Sequence, residues 1–216
     1  MTPQQVEEAA RRRYNAENDT FYSQDELFKI ITEGELELCT FGLVIEGKDT
    51  SISTVVGQRV YDFPTNFISI KRVEYLGVKL EPVDFRDDDR LSVSNSATTS
   101  TGSPQYYQIW GKQIYLRPLP DAVNTLTIYG YKEPALLTTA STTLSVPSEF
   151  HFDLVDYVAM QLCAKDKDYS GVKLYESRWM DAKNRARQWM KRRKRGDAFA
   201  WVRDEANDST TIIGTL

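Results

Sequence analysis

The hydrophobic period of this chain changes twice, from about 3.6 residues to two near position 49, and back to 3.6 after Pro147. A helix and a strand cannot share one periodicity, so the pattern excludes both a single helical bundle and a single sheet. It predicts an α+β chain: a helical bundle formed by N- and C-terminal segments, with an inserted antiparallel β-sandwich or barrel-like domain.

Thr2-Pro3 opens a helix expected over 4–18, with Val6, Ala9, Ala10 and Tyr14 as its apolar stripe. Ser23 stands three residues before Glu26, the spacing of a reciprocal capping box. A second helix follows over 24–39, because Leu27, Ile30, Ile31, Gly34 and Leu38 share one face. Short β-branched and aromatic runs at 51–56, 58–63, 67–75, 78–83, 106–110, 113–117 and 126–131 then read as strands. Gly57, Pro64 and Gly77 supply turns, and Gly111-Lys112 suits a two-residue mirror-type hairpin turn. A helical turn is expected at 85–91.

After Pro147, Phe150, Leu154, Val155, Tyr157, Val158 and Leu162 form the apolar face of a third helix, and a fourth is expected over 172–195. Along it Val172, Tyr175, Trp179, Ala182, Ala186 and Trp189 alternate three and four apart, a packing seam that needs helices from the same chain or from a neighbouring subunit. The expected organisation is 1–45 and 147–195 as the two parts of a helical domain and 46–146 as the β-domain, with a mobile loop at 92–103. Residues 196–216 are expected to be an extended partner-binding tail.

Residues that carry chemistry are sparse. His151 is the only histidine and is expected at a helix end, so a triad or a His-based zinc site would rest on one side chain. Asp84 and Asp87 to Asp89 cluster, but lack the spacing and central glycine of a calcium loop and have Arg86 and Arg90 beside them. Gly42 to Thr50 approaches a phosphate-binding loop, yet Asp49 follows Lys48 where Ser or Thr should bind Mg²⁺. Cys39 and Cys163 read as small buried hydrophobes. No apolar run is long enough to span a bilayer. The reading is of a non-enzyme without cofactor, metal or membrane contact.

The net charge of -4 conceals one strongly basic stretch: residues 183–195 hold eight Lys or Arg and no carboxylate. Lys191, Arg192, Arg193, Lys194 and Arg195 exceed what a helix C-terminus needs and call for a counter-charge, either an acidic protein surface or phosphates. Beyond them Phe199, Trp201 and Val202 are candidate anchors in a partner groove.

Three blocks carry a resemblance. Tyr61-Asp62-Phe63-Pro64-Thr65-Asn66-Phe67 runs on through Ile70-Lys71-Arg72-Val73-Glu74-Tyr75 to Leu80-Glu81-Pro82-Val83. Gly102-Ser103-Pro104-Gln105-Tyr106-Tyr107 leads to Trp110-Gly111 and Ile114-Tyr115-Leu116-Arg117-Pro118-Leu119-Pro120. Leu144-Ser145-Val146-Pro147-Ser148-Glu149-Phe150-His151 is the third. In order and spacing, over roughly 20–180, they resemble the head-to-tail connector (adaptor) proteins of tailed bacteriophages. The resemblance implies a homo-oligomeric ring, commonly of twelve subunits, docked beneath a portal protein and offering a platform to tail or nozzle proteins. Genomic DNA would pass through its channel without sequence-specific binding. It implies residence at the virion neck after synthesis in the host bacterial cytoplasm. A stopper, tail-terminator or neck subunit is the alternative, and a DNA-binding module using the basic helix a further one.

Overall fold

The computed structural model describes residues 1–17, 21–84, 86, 100–138 and 143–213, with side chains described as far as Arg193. The chain divides into two compact units, Met1–Ile45 with Pro134–Leu216, and Glu46–Glu133.

In the helical unit, α1 (Pro3–Arg13) opens on a capping box in which the Gln5 amide donates to Thr2 Oγ1 at 3.3 Å and the Thr2 amide donates to Gln5 Oε1 at 2.9 Å. It ends earlier than expected, because Asn15 turns to φ +55°. The second helix, α2 (Gln24–Gly42), is capped by Ser23 and stopped by Leu43 in the left-handed conformation. A 3₁₀ turn at Ser148–Phe150 leads into α3 (His151–Lys165). Asp168 then accepts from Ser170 and the Gly171 amide, starting α4 (Tyr169–Ile213) three residues before position 172.

The segment from Pro134 belongs to this unit, although the sequence pattern placed 134–146 with the β-domain. The Leu137 amide donates to Thr32 Oγ1, and those of Ser145 and Val146 to Glu35 Oε1, so α2 claims it. The tail expected to be extended from Gly196 is helical to Ile213. Glycine in a helix interior costs about 1 kcal/mol relative to alanine, which does not terminate a helix followed by Ala198, Ala200, Arg203, Glu205 and Ala206.

The seam along α4 closes on the chain's own helices. Tyr175, Trp179, Ala182 and Ala186 are buried, and Val172 and Trp189 are partly buried. Trp179 packs against Tyr157 at 4.7 Å between ring centroids, Trp189 against Phe150 at 5.7 Å, and Val172 and Tyr175 against Ala159 and Cys163. These contacts satisfy the seam without a neighbouring subunit.

The second unit holds β1 (Glu46–Asp49), β2 (Val60–Asp62), β3 (Phe67–Tyr75), β4 (Val78–Lys79), β5 (Glu81–Pro82), β6 (Thr101–Gly102), β7 (Tyr106–Trp110), β8 (Gln113–Arg117), β9 (Leu119–Pro120) and β10 (Leu126–Lys132). Two four-stranded sheets, β1-β10-β3-β4 and β2-β8-β7-β5, supply a shared core of Val73, Tyr75, Leu126 and Ile128 from one and Tyr61, Tyr107, Ile114 and Leu116 from the other. The first sheet is wholly antiparallel; in the second β5 pairs with β7 in parallel, and β6 and β9 form a separate two-stranded parallel sheet. The run 78–83 divides at Leu80, whose amide bonds Val73 O while that of Glu81 bonds Gln105 O. Residues 51–56 do not form the expected strand; Asp49 caps Ser51, and only Ser53 bridges to Thr125. Of the loop expected at 92–103, Thr101–Gly102 pairs with Leu119–Pro120, while 92–99 lie outside the described residues, as does all of the 85–91 turn except Arg86.

Candidate functional site

The exposed face of α4 is positioned by its buried one. With Tyr175, Trp179, Ala182 and Ala186 fixed inward, the 3.6-residue period turns Arg185, Arg187, Lys191 and Arg192 outward, and all four are exposed. Arg193 is exposed too and stacks over Trp189, with its guanidinium 4.7 Å from the ring centroid. Trp189 therefore connects the basic stretch to Phe150 at the start of α3. The side chains of Lys194, Arg195, Phe199, Trp201 and Val202 lie outside the description, although their backbone is helical.

Acidic residues hold α4 in register between Arg178 and Arg185. Asp153 pairs with Arg185, Asp156 with both Arg13 of α1 and Arg178, and Glu37 accepts from Trp179 Nε1 at 2.8 Å and from Lys183 at 3.4 Å. Burial raises the Asp153 carboxyl above its usual range, and the Arg185 charge opposes it. Asp153, Asp156, Arg178, Asp181, Arg185 and Lys191 line an open groove of about 760 Å³ between α3 and α4. Among its charges Asp153 pairs with Arg185 and Asp156 with Arg178. On α2, Phe41 lies beneath Arg187 at 5.2 Å and Lys183 at 6.0 Å.

His151, expected at a helix end, is the first residue of α3 and is buried at 9% exposure. Its Nδ1 faces the Met1 amine at 2.7 Å and its Nε2 faces Val146 O at 3.1 Å. Burial lowers its pKa, favouring the neutral ring. Cys39 and Cys163 are free and buried, and burial with Glu35 nearby pushes the Cys39 thiol up to about 12, making it an inert packing group. The phosphate-loop-like stretch is divided between the end of α2 and β1, so no helix N-terminus faces an anion there. Asp87 to Asp89 lie outside the described residues. Among the described residues no three potential ligands gather for a metal, and no helix is long and apolar enough to cross a membrane.

Sequence pattern missed Glu37, Asp153 and Asp156, the acids that seat α4. It also missed Glu35, which did carry a signal: a carboxylate between Ile31 and Leu38 on a buried stripe must serve a specific donor, here the Ser145 and Val146 amides.

A family model described as SU10 adaptor protein matches residues 1–206. The match runs through both units and ends within α4. A search of curated proteins found no match.

Proposed function

The chain belongs to the SU10 adaptor protein family, and from that membership we propose that it is a structural subunit of the head-to-tail junction of a tailed bacteriophage, forming a ring, of twelve copies in this reading, beneath the portal. The observation that carries this is a single family match spanning both units and reaching into the basic helix. The helical domain, 1–45 with 134–195, builds the ring wall, and the inserted β-domain meets tail or nozzle proteins. Residues 196–216 are the partner-binding segment, whose backbone continues α4 as far as Ile213.

In this reading Lys191 to Arg195 pair with portal carboxylates, while Phe199, Trp201 and Val202 anchor the helix end in a portal groove. Exposure of Lys191, Arg192 and Arg193 supports the electrostatic part. The seam from Val172 to Trp189 acts within each subunit, making α4 a rigid lever. Ring closure satisfies every subunit contact without leaving a growing end, and no bond-making step is involved. Genomic DNA passes through the channel without sequence-specific binding, and the assembled protein resides at the virion neck.

Electron microscopy and native mass spectrometry of the purified chain, alone and with its portal, test the reading. The expected result is a closed ring on the portal. A chain that stays monomeric at every concentration and ignores the portal overturns it. Removing 196–216 should weaken portal binding about tenfold or more, the scale of losing one interface anchor; unchanged affinity sinks the anchor assignment.

A further inference from the structure

Five aliphatic side chains are exposed at one end of the β unit: Val55 (51%), Val56 (55%), Leu76 (64%), Val78 (66%) and Val123 (67%). Topology gathers them. Strand β3 ends at Tyr75 opposite Leu126, where β10 begins, so the β3–β4 hairpin and the 121–125 loop share that end of the sheet. Thr54 draws in the third loop. It is fully buried, its amide donates to Asn124 O, its hydroxyl contacts Ala122 O at 2.9 Å and Asn124 O at 3.0 Å, and it accepts the Asn124 amide at 2.9 Å. Asn124 Nδ2 also donates to Tyr75 Oη at 2.8 Å, tying the hairpin base to the same clamp.

Leu76 points independently to a role. It holds φ +52° at the first position of a two-residue turn whose second is Gly77 at φ +75°. Asparagine or glycine is the relaxed choice there, and an exposed leucine is strained without burying anything. Strain kept on an exposed apolar residue marks a contact surface.

We infer that this end of the β unit is a pre-formed apolar docking tip for a second protein ring that presents repeated apolar hollows. The inference rests on the ring reading above. Each half to two-thirds exposed, the five side chains together offer on the order of a few hundred Å² of apolar surface, the scale of patches that mark binding sites. A stable one-to-one interface needs about 800 Å² from each partner, so a single tip is too small to hold a partner. Displayed by every subunit of a ring, the same contact gains about 10²–10⁴ in avidity, provided the partner repeats its hollows in step. Lys79 and Asp121 flank the tip with opposite charges, which suits neither phosphates nor an anionic bilayer.

The test uses DNA-filled, portal-bearing heads carrying full-length wild-type or variant chain, mixed with isolated tails and counted by electron microscopy. Val56→Asp/Val123→Asp should leave rings on the heads but lower the tailed fraction about tenfold, as expected when a repeated contact loses avidity. Leu76→Asn relaxes the turn, so it should keep or raise the melting temperature while still lowering the tailed fraction, a pairing that a purely structural role does not produce. An unchanged tailed fraction overturns the proposal. So do variant heads that lack rings, which would make the tip a contact within the ring, or wild-type rings that pair tip to tip. Wild-type heads without any ring remove the ring reading, and the tip with it.

Discussion

Glu35, with no exposed surface, accepts the backbone amide of Ser145 at 2.7 Å across 110 residues of sequence, and that of Val146 at 3.1 Å. Val146 O in turn faces His151 Nε2 at 3.1 Å, so one dipeptide is held by α2 on one side and α3 on the other. The dipeptide lies in the segment that leads from Pro134 to α3 within the helical unit.

Replacing Glu35 by leucine leaves two amides without an acceptor and should cost about 2–4 kcal/mol in urea unfolding. Glu35→Gln keeps an acceptor and should cost less. Burial raises the Glu35 carboxyl. Its contribution is therefore full below about pH 4.3 and is lost as pH rises through the folded-state value. As pH rises above about 4.3 the glutamine variant should gain on the wild type. Parallel stability curves for the two proteins would contradict this account.

His151 titrates in the opposite sense. Burial chiefly, with the Met1 ammonium adding, lowers its pKa, and the bond to Val146 opposes that shift. The neutral ring is the native form, so its contribution is present above about pH 6.5 and declines as pH falls toward the folded-state value. His151→Gln should flatten the loss of thermal stability as pH falls below about 6.5. An unaltered slope would remove His151 as its source.

What was legible depended on how local the cause was. Alternation placed strands at 106–110 and 113–117, and turn chemistry placed Gly111-Lys112 between them; both residues have positive φ, +56° and +60°. The run 51–56 misled because its fate is decided by Thr54 bonding to Asn124, 70 residues away. At the candidate site the excess of cations was plain, but the stacking of Arg193 on Trp189, and of Trp189 on Phe150, requires α3 and α4 to be packed first. Leu76-Gly77 did carry a readable signal, a leucine where a mirror-type turn wants asparagine.

Two glycines are required by close approach. A Cβ on Gly34 would stand 2.8 Å from Tyr157 Cδ1, on a ring already packed against Trp179. Overpacking there outweighs the gain in helix propensity, so Gly34→Ala should lose about 1 kcal/mol. At Gly130, beside a register shift between β10 and β3, the new Cβ would meet the Ser69 carbonyl oxygen, which is backbone and cannot rotate away. Gly130→Ala should lose more, about 3 kcal/mol. Denaturant midpoints at unchanged slope measure both, and the reverse ranking would refute the packing argument.

Gly196 separates the basic stretch from the anchor residues, and the helix passes through it. In an α-helix the amide of residue 196 bonds the carbonyl of residue 192, so proline at 196 removes that bond and clashes with the same carbonyl, at about 3 kcal/mol. Alanine at 196 favours the helix by about 1 kcal/mol. The described packing of α4 onto α2 and α3 lies before this position, so neither change should alter the melting of the helical unit. If the portal grips a continuous helix, Gly196→Pro should weaken portal binding about as much as deleting 196–216, while Gly196→Ala should match or exceed the wild type. Interferometry against immobilised portal rings decides it, because a flexible anchor segment would bind equally well with either residue.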